Sequence, residues 1–116
     1  MGEGTYGKVF KAEHNHSKKT VAIKYIEFKS HSQPLLRAIS REIQIMYKLS
    51  KMKDNTFTVK ILDAFFPADC DPADMDSVKG IFIVMTYVDH DLMVLLNQTS
   101  TVLDEEQFIV ILYNLL

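Results

Sequence analysis

The sequence predicts an α+β fold in which an antiparallel sheet packs against one long helix. Residues 20–28 alternate apolar side chains between two faces, which is the pattern of a strand. Residues 34–52 repeat apolar side chains every three or four positions, which is the pattern of a helix. With 116 residues and 47% hydrophobic content, the chain is one ordinary domain or a part of one.

The chain opens with three glycines in the pattern G-x-G-x-x-G, at Gly2, Gly4 and Gly7. Glycines at this spacing let backbone amides approach phosphate oxygens, because no Cβ lies between them. Dinucleotide-binding folds use the same pattern, but there a strand precedes it and a helix follows it. Residues 7–13 are typical of a strand instead. The sequence therefore favours a glycine loop that leads into a strand and disfavours a Rossmann-type oxidoreductase.

The strand at 20–28 carries a lysine on an apolar face. Lys24 shares its face with Ala22, Ile26 and Phe28, so it must either reach solvent along its own stem or meet an anion. Glu42 lies beside the apolar stripe of the helix and follows Lys24 by 18 residues. By itself Glu42 is an ordinary solvated helix residue. Its position raises the alternative that its carboxylate reaches Lys24.

The middle of the chain predicts two more strands and one loop. Residues 57–66 form an apolar run rich in residues that favour strands. Residues 67–77 form an acidic loop whose aspartates do not match the EF-hand pattern, so we interpret it as a solvated connector. Residues 80–88 are almost continuously apolar, which predicts a strand buried on both faces.

The last segment predicts a short helical turn and a helix. The turn covers residues 92–96. Asp104 precedes the helix as an N-cap, with Gln107 in the position of the capping-box partner, so the helix starts at Glu105. Residues 108–116 are apolar on nearly every side. Such a helix is expected to lie inside a larger body.

Charge and cysteine content limit the setting in which the protein works. Residues 1–58 carry 11 Lys and Arg against 5 Asp and Glu, whereas residues 59–116 carry 2 against 10. A cationic first half suits a polyphosphate ligand, although lysines on solvated faces explain most of these charges. The sequence has a single cysteine, Cys70, and it shows neither a secretory leader nor an apolar run of membrane-spanning length. These observations predict a cytoplasmic or nuclear protein. We expect neither a membrane nor a nucleic acid as a partner.

The whole chain, from Gly2 to Leu116, resembles the N-terminal lobe and hinge of eukaryotic Ser/Thr protein kinases. It is most similar to the group of mitogen-activated and cyclin-dependent kinases, and the longer loop before Gly80 favours the mitogen-activated branch. The resemblance implies a five-stranded antiparallel sheet with a truncated first strand and one regulatory helix in residues 1–88. It implies a hinge and the first helices of the C-terminal lobe in residues 89–116. The motifs that carry it are Gly-Glu-Gly-Thr-Tyr-Gly at 2–7, Val-Ala-Ile-Lys at 21–24, Arg-Glu-Ile at 41–43 and Asp-Leu at 91–92.

The same resemblance implies an ATP site. Lys24 would bind the α- and β-phosphates and pair with Glu42, and these two are the implied catalytic residues. Met85 would lie at the back of the adenine pocket, Thr86 and Val88 would offer hinge backbone groups to the adenine, and Asp91 would face the ribose. The implied nucleotide contacts beside Lys24 are Gly2, Glu3, Gly4, Thr5, Tyr6, Gly7, Val9, Ala22, Met85, Thr86, Val88 and Asp91.

The resemblance further implies Mg²⁺, a protein substrate and a regulatory protein at the helix around Glu42. In this family the metal ligands and the substrate-orienting aspartate lie in the motifs H-R-D-x-x-x-x-N and D-F-G. Neither motif occurs in these 116 residues. We therefore expect the chain to cover a nucleotide but not to transfer phosphate alone. The alternative is a noncatalytic, pseudokinase-like module that binds nucleotide or acts as a scaffold.

Overall fold

A computed structural model describes residues 3–4, 7–29, 32–71, 73–74, 76–98 and 104–115. These residues form one sheet and three helices, so the predicted α+β fold, with an antiparallel sheet and one long helix, is confirmed. In chain order the elements are β1 (Glu3–Gly4), β2 (Gly7–Glu13), β3 (Thr20–Glu27), α1 (Gln33–Lys51), β4 (Ile61–Phe65), β5 (Gly80–Thr86), α2 (Leu92–Gln98) and α3 (Glu105–Leu115).

The sheet has five strands in the order β1-β2-β3-β5-β4, and each neighbouring pair is antiparallel. The first strand contains only two residues. Val9, Lys24 and Ile83 lie directly opposite one another on β2, β3 and β5. Residues in such a row point to the same side of a sheet. We call the side that carries this row and packs on α1 the inner face, and the opposite side the outer face.

Isoleucines form the core between the inner face and α1. Ile26, Ile81 and Ile83 from the sheet meet Ile39 from the helix, and all four are buried. Ile83 has no exposed surface at all. Burying side chains of this kind supplies most of the favourable free energy of folding. The alternation in β3 and the helical period in α1 thus place their apolar residues against each other.

The C-terminal end of α1 is fixed to β4. The Ser50 hydroxyl donates to the Met46 carbonyl at 2.8 Å and accepts the Ile61 N–H at 2.9 Å. The Asn55 side chain donates to the Leu49 carbonyl at 3.0 Å, so it satisfies one of the carbonyls that a helix end leaves free. These bonds join the last turn of α1 to the start of β4.

The outer face carries a row of aromatic rings. The ring centroids of Tyr25 and Phe82 are 4.7 Å apart, and those of Phe82 and Phe65 are 5.4 Å apart. A Cβ on Gly80 would lie 2.6 Å from the Tyr25 ring, so only glycine lets that ring lie against the strand. The prediction that residues 80–88 are buried on both faces is wrong, because Phe82 and Val84 are only half-buried on the outer face.

Both helices after the sheet begin with an aspartate cap, and the sequence predicted the one at Asp104. The Asp91 carboxylate accepts the Val94 N–H at 2.7 Å at the start of α2. Asp104 accepts the Gln107 N–H at 2.7 Å, and Gln107 accepts the Asp104 N–H at 3.4 Å, which forms a capping box. In the part of the chain that the structure describes, α2 and α3 pack on no other element and α3 has no buried residue.

A search of the described helices finds none with the length and apolar content to cross a membrane.

Replacing Ile83 with alanine should lower the free energy of unfolding by about 2–5 kcal/mol, because it removes apolar contacts and leaves a cavity. Urea denaturation followed by circular dichroism measures this. Ile45→Ala is the matched control, because Ile45 is 51% exposed on α1, and it should stay within about 0.5 kcal/mol of the parent. Equal effects of the two substitutions would contradict the assignment of the core.

Tyr25→Phe should change how stability depends on alkaline pH. Burial raises the pKa of Tyr25 above its ordinary value of 10.0, with smaller contributions from the negative charges of Glu27, Cys70 and Asp69. The folded protein therefore holds the phenol proton more tightly than the unfolded chain does. This stabilisation is complete below about pH 10 and is lost as the pH rises through the raised value.

The free energy of unfolding should consequently fall more steeply above about pH 10 in the parent than in Tyr25→Phe. Urea denaturation across this pH range measures the difference. Tyr113→Phe is the control for the loss of one phenol hydroxyl, because Tyr113 is 81% exposed on α3. Parallel slopes for the parent and Tyr25→Phe would show that Tyr25 titrates normally.

Candidate functional site

The centre of the candidate site is an ion pair between the sheet and α1. The Nζ atom of Lys24 lies 2.7 Å from Oε1 of Glu42. The two side chains are 20% and 43% exposed, so the contact lies at the border of the core and not within it. The meeting of Lys24 and Glu42 that their spacing suggested is therefore present in the structure.

The neighbours of Lys24 explain why its ammonium needs a partner. Ala22 and Ile26 lie on either side of Lys24 on the inner face and are 7% and 6% exposed. Among the described residues, Glu42 is the only hydrogen-bond partner of the ammonium. An ammonium has three donors, so two of them remain for an anionic ligand. Lys24 is thus a fixed cation with spare donors.

The glycine loop leads into β2, which pairs with β3 in the sheet. Gly4 lies opposite Gly7 in the pairing of β1 with β2. Gly7 has a φ of +132°, and a Cβ at this position would collide with the carbonyl oxygen of Tyr25. Only glycine fits this conformation and this close approach. Glu3 lies on β1 beside Gly4, whereas Gly2, Thr5 and Tyr6 lie outside the described residues.

Three further predicted contact residues share the inner face. Val9 lies opposite Lys24, and Ala22 lies opposite Met85. Met85 also packs against the isoleucine core. The structure therefore places Val9, Ala22 and Met85 on the same side of the sheet as the ion pair, as the alternation in β3 requires.

The predicted hinge residues differ in which of their polar groups already have hydrogen-bond partners. The backbone N–H of Thr86 donates to the Lys60 carbonyl at 2.9 Å, and the Thr86 hydroxyl accepts the Lys60 N–H at 3.1 Å. The N–H of Thr86 is therefore already used within the protein. Val88 is 59% exposed, and its N–H has no partner among the described residues. Among the described residues the Asp91 carboxylate has only its capping bond, through one oxygen, to the Val94 N–H.

One contact at the site was missed by sequence reasoning. The ammonium of Lys11 lies 4.5 Å from the centroid of the Tyr87 ring, which is a cation–π contact. Lys11 lies opposite Ala22 on the inner face, so the contact joins the glycine-loop strand to the hinge. The available signal was the alternation of β2, which puts Lys11 on the same side as Val9.

The described residues contain no group of three or more His, Cys, Asp or Glu side chains that could hold a metal ion. The arrangement suits an anionic group such as a nucleotide phosphate, because it combines a fixed cation that has spare donors with a glycine backbone that has no Cβ.

A model of the family described as protein kinase domain matches residues 1–116. Cyclin-dependent kinase 12 of Caenorhabditis elegans is 32% identical over 106 residues, which cover 88% of this chain and 13% of that protein. Cyclin-dependent kinase 12 of Drosophila melanogaster is 33% identical over 107 residues, which cover 91% and 9% respectively. CTD kinase subunit alpha of Saccharomyces cerevisiae is 29% identical over 96 residues, which cover 83% and 16%.

The chain thus spans only a small part of the length of these relatives, from 9% to 16%. Their names support similarity to cyclin-dependent kinases and give no support to the mitogen-activated branch that the loop before Gly80 favoured. Because the family model covers every residue, the chain belongs to the protein kinase domain family.

Proposed function

We propose that this chain is the ATP-binding region of a Ser/Thr protein kinase of the cyclin-dependent type. The contact between Lys24 and Glu42 at 2.7 Å carries the proposal, because it fixes a cation opposite Val9 on β2, the strand into which the glycine loop leads. In this proposal residues 1–88 form the N-terminal lobe, and residues 89–116 form the hinge and the start of the C-terminal lobe. Membership of the family and the names of the relatives support it.

The residues of this chain would bind and orient the nucleotide. Lys24 would donate to the phosphates while Glu42 holds its ammonium in place, so the side chain loses little freedom when the ligand arrives. The glycine backbone at Gly2, Gly4 and Gly7 would lie over the phosphates. Bound ATP would supply the phosphoryl group. The described residues contain no group of three or more His, Cys, Asp or Glu side chains that could hold a metal ion, and no metal-dependent step is assigned to them.

The other end of the nucleotide would meet apolar and hinge residues. Val9 and Ala22 would pack on the adenine, and Met85 would limit the depth of the pocket. The free N–H of Val88 would donate to the adenine edge, and the carbonyl group of Thr86 would accept from it. Asp91 would accept from the ribose with the carboxylate oxygen that does not cap α2.

A regulatory protein is proposed on the solvent side of α1. The names of the relatives make a cyclin the type of partner to consider. The exposed side of α1 carries Arg37, Arg41, Lys48 and Lys51 together with Ile45, which is 51% exposed. A partner that presents acidic and apolar groups would match this side. Protein substrates and a cytoplasmic or nuclear location complete the proposal.

Replacing Lys24 with methionine should weaken ATP binding about tenfold or more, because it removes a charge-assisted hydrogen bond to the phosphates. It should leave adenosine binding unchanged, since adenosine has no phosphate. Titrations followed by NMR measure both affinities in the same chain. Lys29→Met is the matched control, because Lys29 is exposed and lies beyond the end of β3. Equal losses for ATP and adenosine would refute the phosphate role of Lys24.

Glu42→Gln should also weaken ATP binding, because the ammonium of Lys24 loses its charged partner. The effect should be smaller than that of Lys24→Met, and the double variant should bind no more weakly than Lys24→Met alone, since the two residues act as a unit. The same titrations measure this coupling. Glu27→Gln is the control at an exposed acid on the same sheet. Fully additive losses would mean that Glu42 does not act through Lys24.

A further inference from the structure

The outer face of the sheet has a groove that the proposed nucleotide site does not use. Its volume is about 620 Å³, within the range of sites that hold ligands. Val21, Ile23 and Val84 form an apolar floor, and the turn at 14–19 forms one wall. The other wall is β4, with Leu62 and Phe65. Because Val21 and Ile23 alternate with Ala22 and Lys24 along β3, the groove and the ion pair lie on opposite sides of the sheet.

The turn wall is held in one conformation by its own hydrogen bonds. The backbone N–H of His14 donates to the Lys19 carbonyl at 2.9 Å, and the backbone N–H of Lys18 donates to the His14 carbonyl at 2.8 Å. The Ser17 N–H and hydroxyl both lie within hydrogen-bond distance of Nδ1 of His14, at 3.2 and 2.8 Å. Because Nδ1 accepts, Nε2 carries the ring proton and is a donor. The wall is therefore preorganised and carries N–H donors.

The two walls differ in charge. On the turn wall, Glu13 is paired with Lys18 at 3.4 Å, whereas the Lys19 ammonium has no partner among the described residues. On the β4 wall, Leu62 and Phe65 are 54% and 45% exposed. Asp63 adds a negative charge there, with one oxygen accepting the Ala64 N–H at 2.8 Å. The turn wall is therefore the cationic side of the groove. The β4 wall is an apolar side on which the Asp63 carboxylate repels anions.

We propose that this groove binds an extended, acidic peptide segment of a partner protein that also carries large apolar side chains. Acidic side chains would face Lys19 and the donors of the turn, and apolar side chains would cover the floor and the β4 wall. The β4 wall is open and half-exposed, so a peptide can lie along it. A second copy of this chain fits less well, because its acidic loop from Asp69 to Asp76 contains no Leu, Ile, Val or Phe, and its acidic and apolar segment Glu105–Leu115 is a helix and not extended.

A short fluorescein-labelled peptide that alternates acidic residues with leucine and phenylalanine is the probe, and fluorescence anisotropy reports its binding to the 116-residue chain. Lys19→Glu and Leu62→Glu should each weaken binding about tenfold, because one reverses the cationic side and the other puts a charge on the apolar wall. Asp63→Asn should not weaken peptide binding, since this substitution removes a negative charge that repels the acidic peptide. Lys29→Glu is the control for overall charge.

Circular dichroism of each variant establishes that the fold is retained, as expected for exposed positions. The proposal is overturned if the peptide does not bind, or if Lys19→Glu and Lys29→Glu weaken it equally, because the attraction is then not local. It is also overturned if an otherwise identical peptide with Gln and Asn in place of its acids binds as well. Self-association of the parent in sedimentation, removed by Leu62→Glu, would assign the groove to a second copy instead.

Discussion

The register of β3 determines where every functional side chain lies. β3 pairs with β2 on one side and with β5 on the other, so both neighbours must agree on the same alignment. A shift of one residue would turn Lys24 to the outer face and bring Tyr25 against α1. The ion pair, the isoleucine core and the aromatic row would be lost together. The apolar requirement of the core therefore also fixes the position of the cation.

The contact between Lys24 and Glu42 and the core around Ile83 have different roles. Ion pairs with exposed side chains contribute about 0–1 kcal/mol to stability, and these side chains are 20% and 43% exposed. Burial of one isoleucine contributes about 1.5–3 kcal/mol, so the core outweighs the ion pair in holding α1 on the sheet. The ion pair mainly orients its two charges. A site of this kind can lose its charge without losing its fold, which separates binding from stability.

Local patterns in the sequence predicted the elements well where one force dominates. The period of α1 placed the helix at 34–52, and the structure has Gln33–Lys51. The strand predicted at 57–66 begins only at Ile61, because the Asn55 side chain accepts the N–H groups of Phe57 and Thr58 and holds them in a turn. Contacts between distant elements, such as Lys11 with Tyr87, depend on the final geometry, because the alternation of β2 gives the face on which Lys11 lies but not its partner.

The bonds between Ser50 and β4 make α1 a lever whose pivot is at its C-terminal end. Glu42 lies eight residues from this pivot, or about 12 Å along the axis, so a rotation of about 15° would move its carboxylate by about 3 Å. A displacement of that size away from Lys24 would lengthen the present 2.7 Å contact beyond the limit of about 4 Å for an ion pair, so it would break the contact. Ile39, the buried side chain of α1, lies 11 residues from the pivot and would move farther than Glu42, so this rotation would also disturb the isoleucine core. A torque on α1 that disconnects the cation from its partner therefore also has to overcome the packing of Ile39 on the sheet, so the core protects the contact.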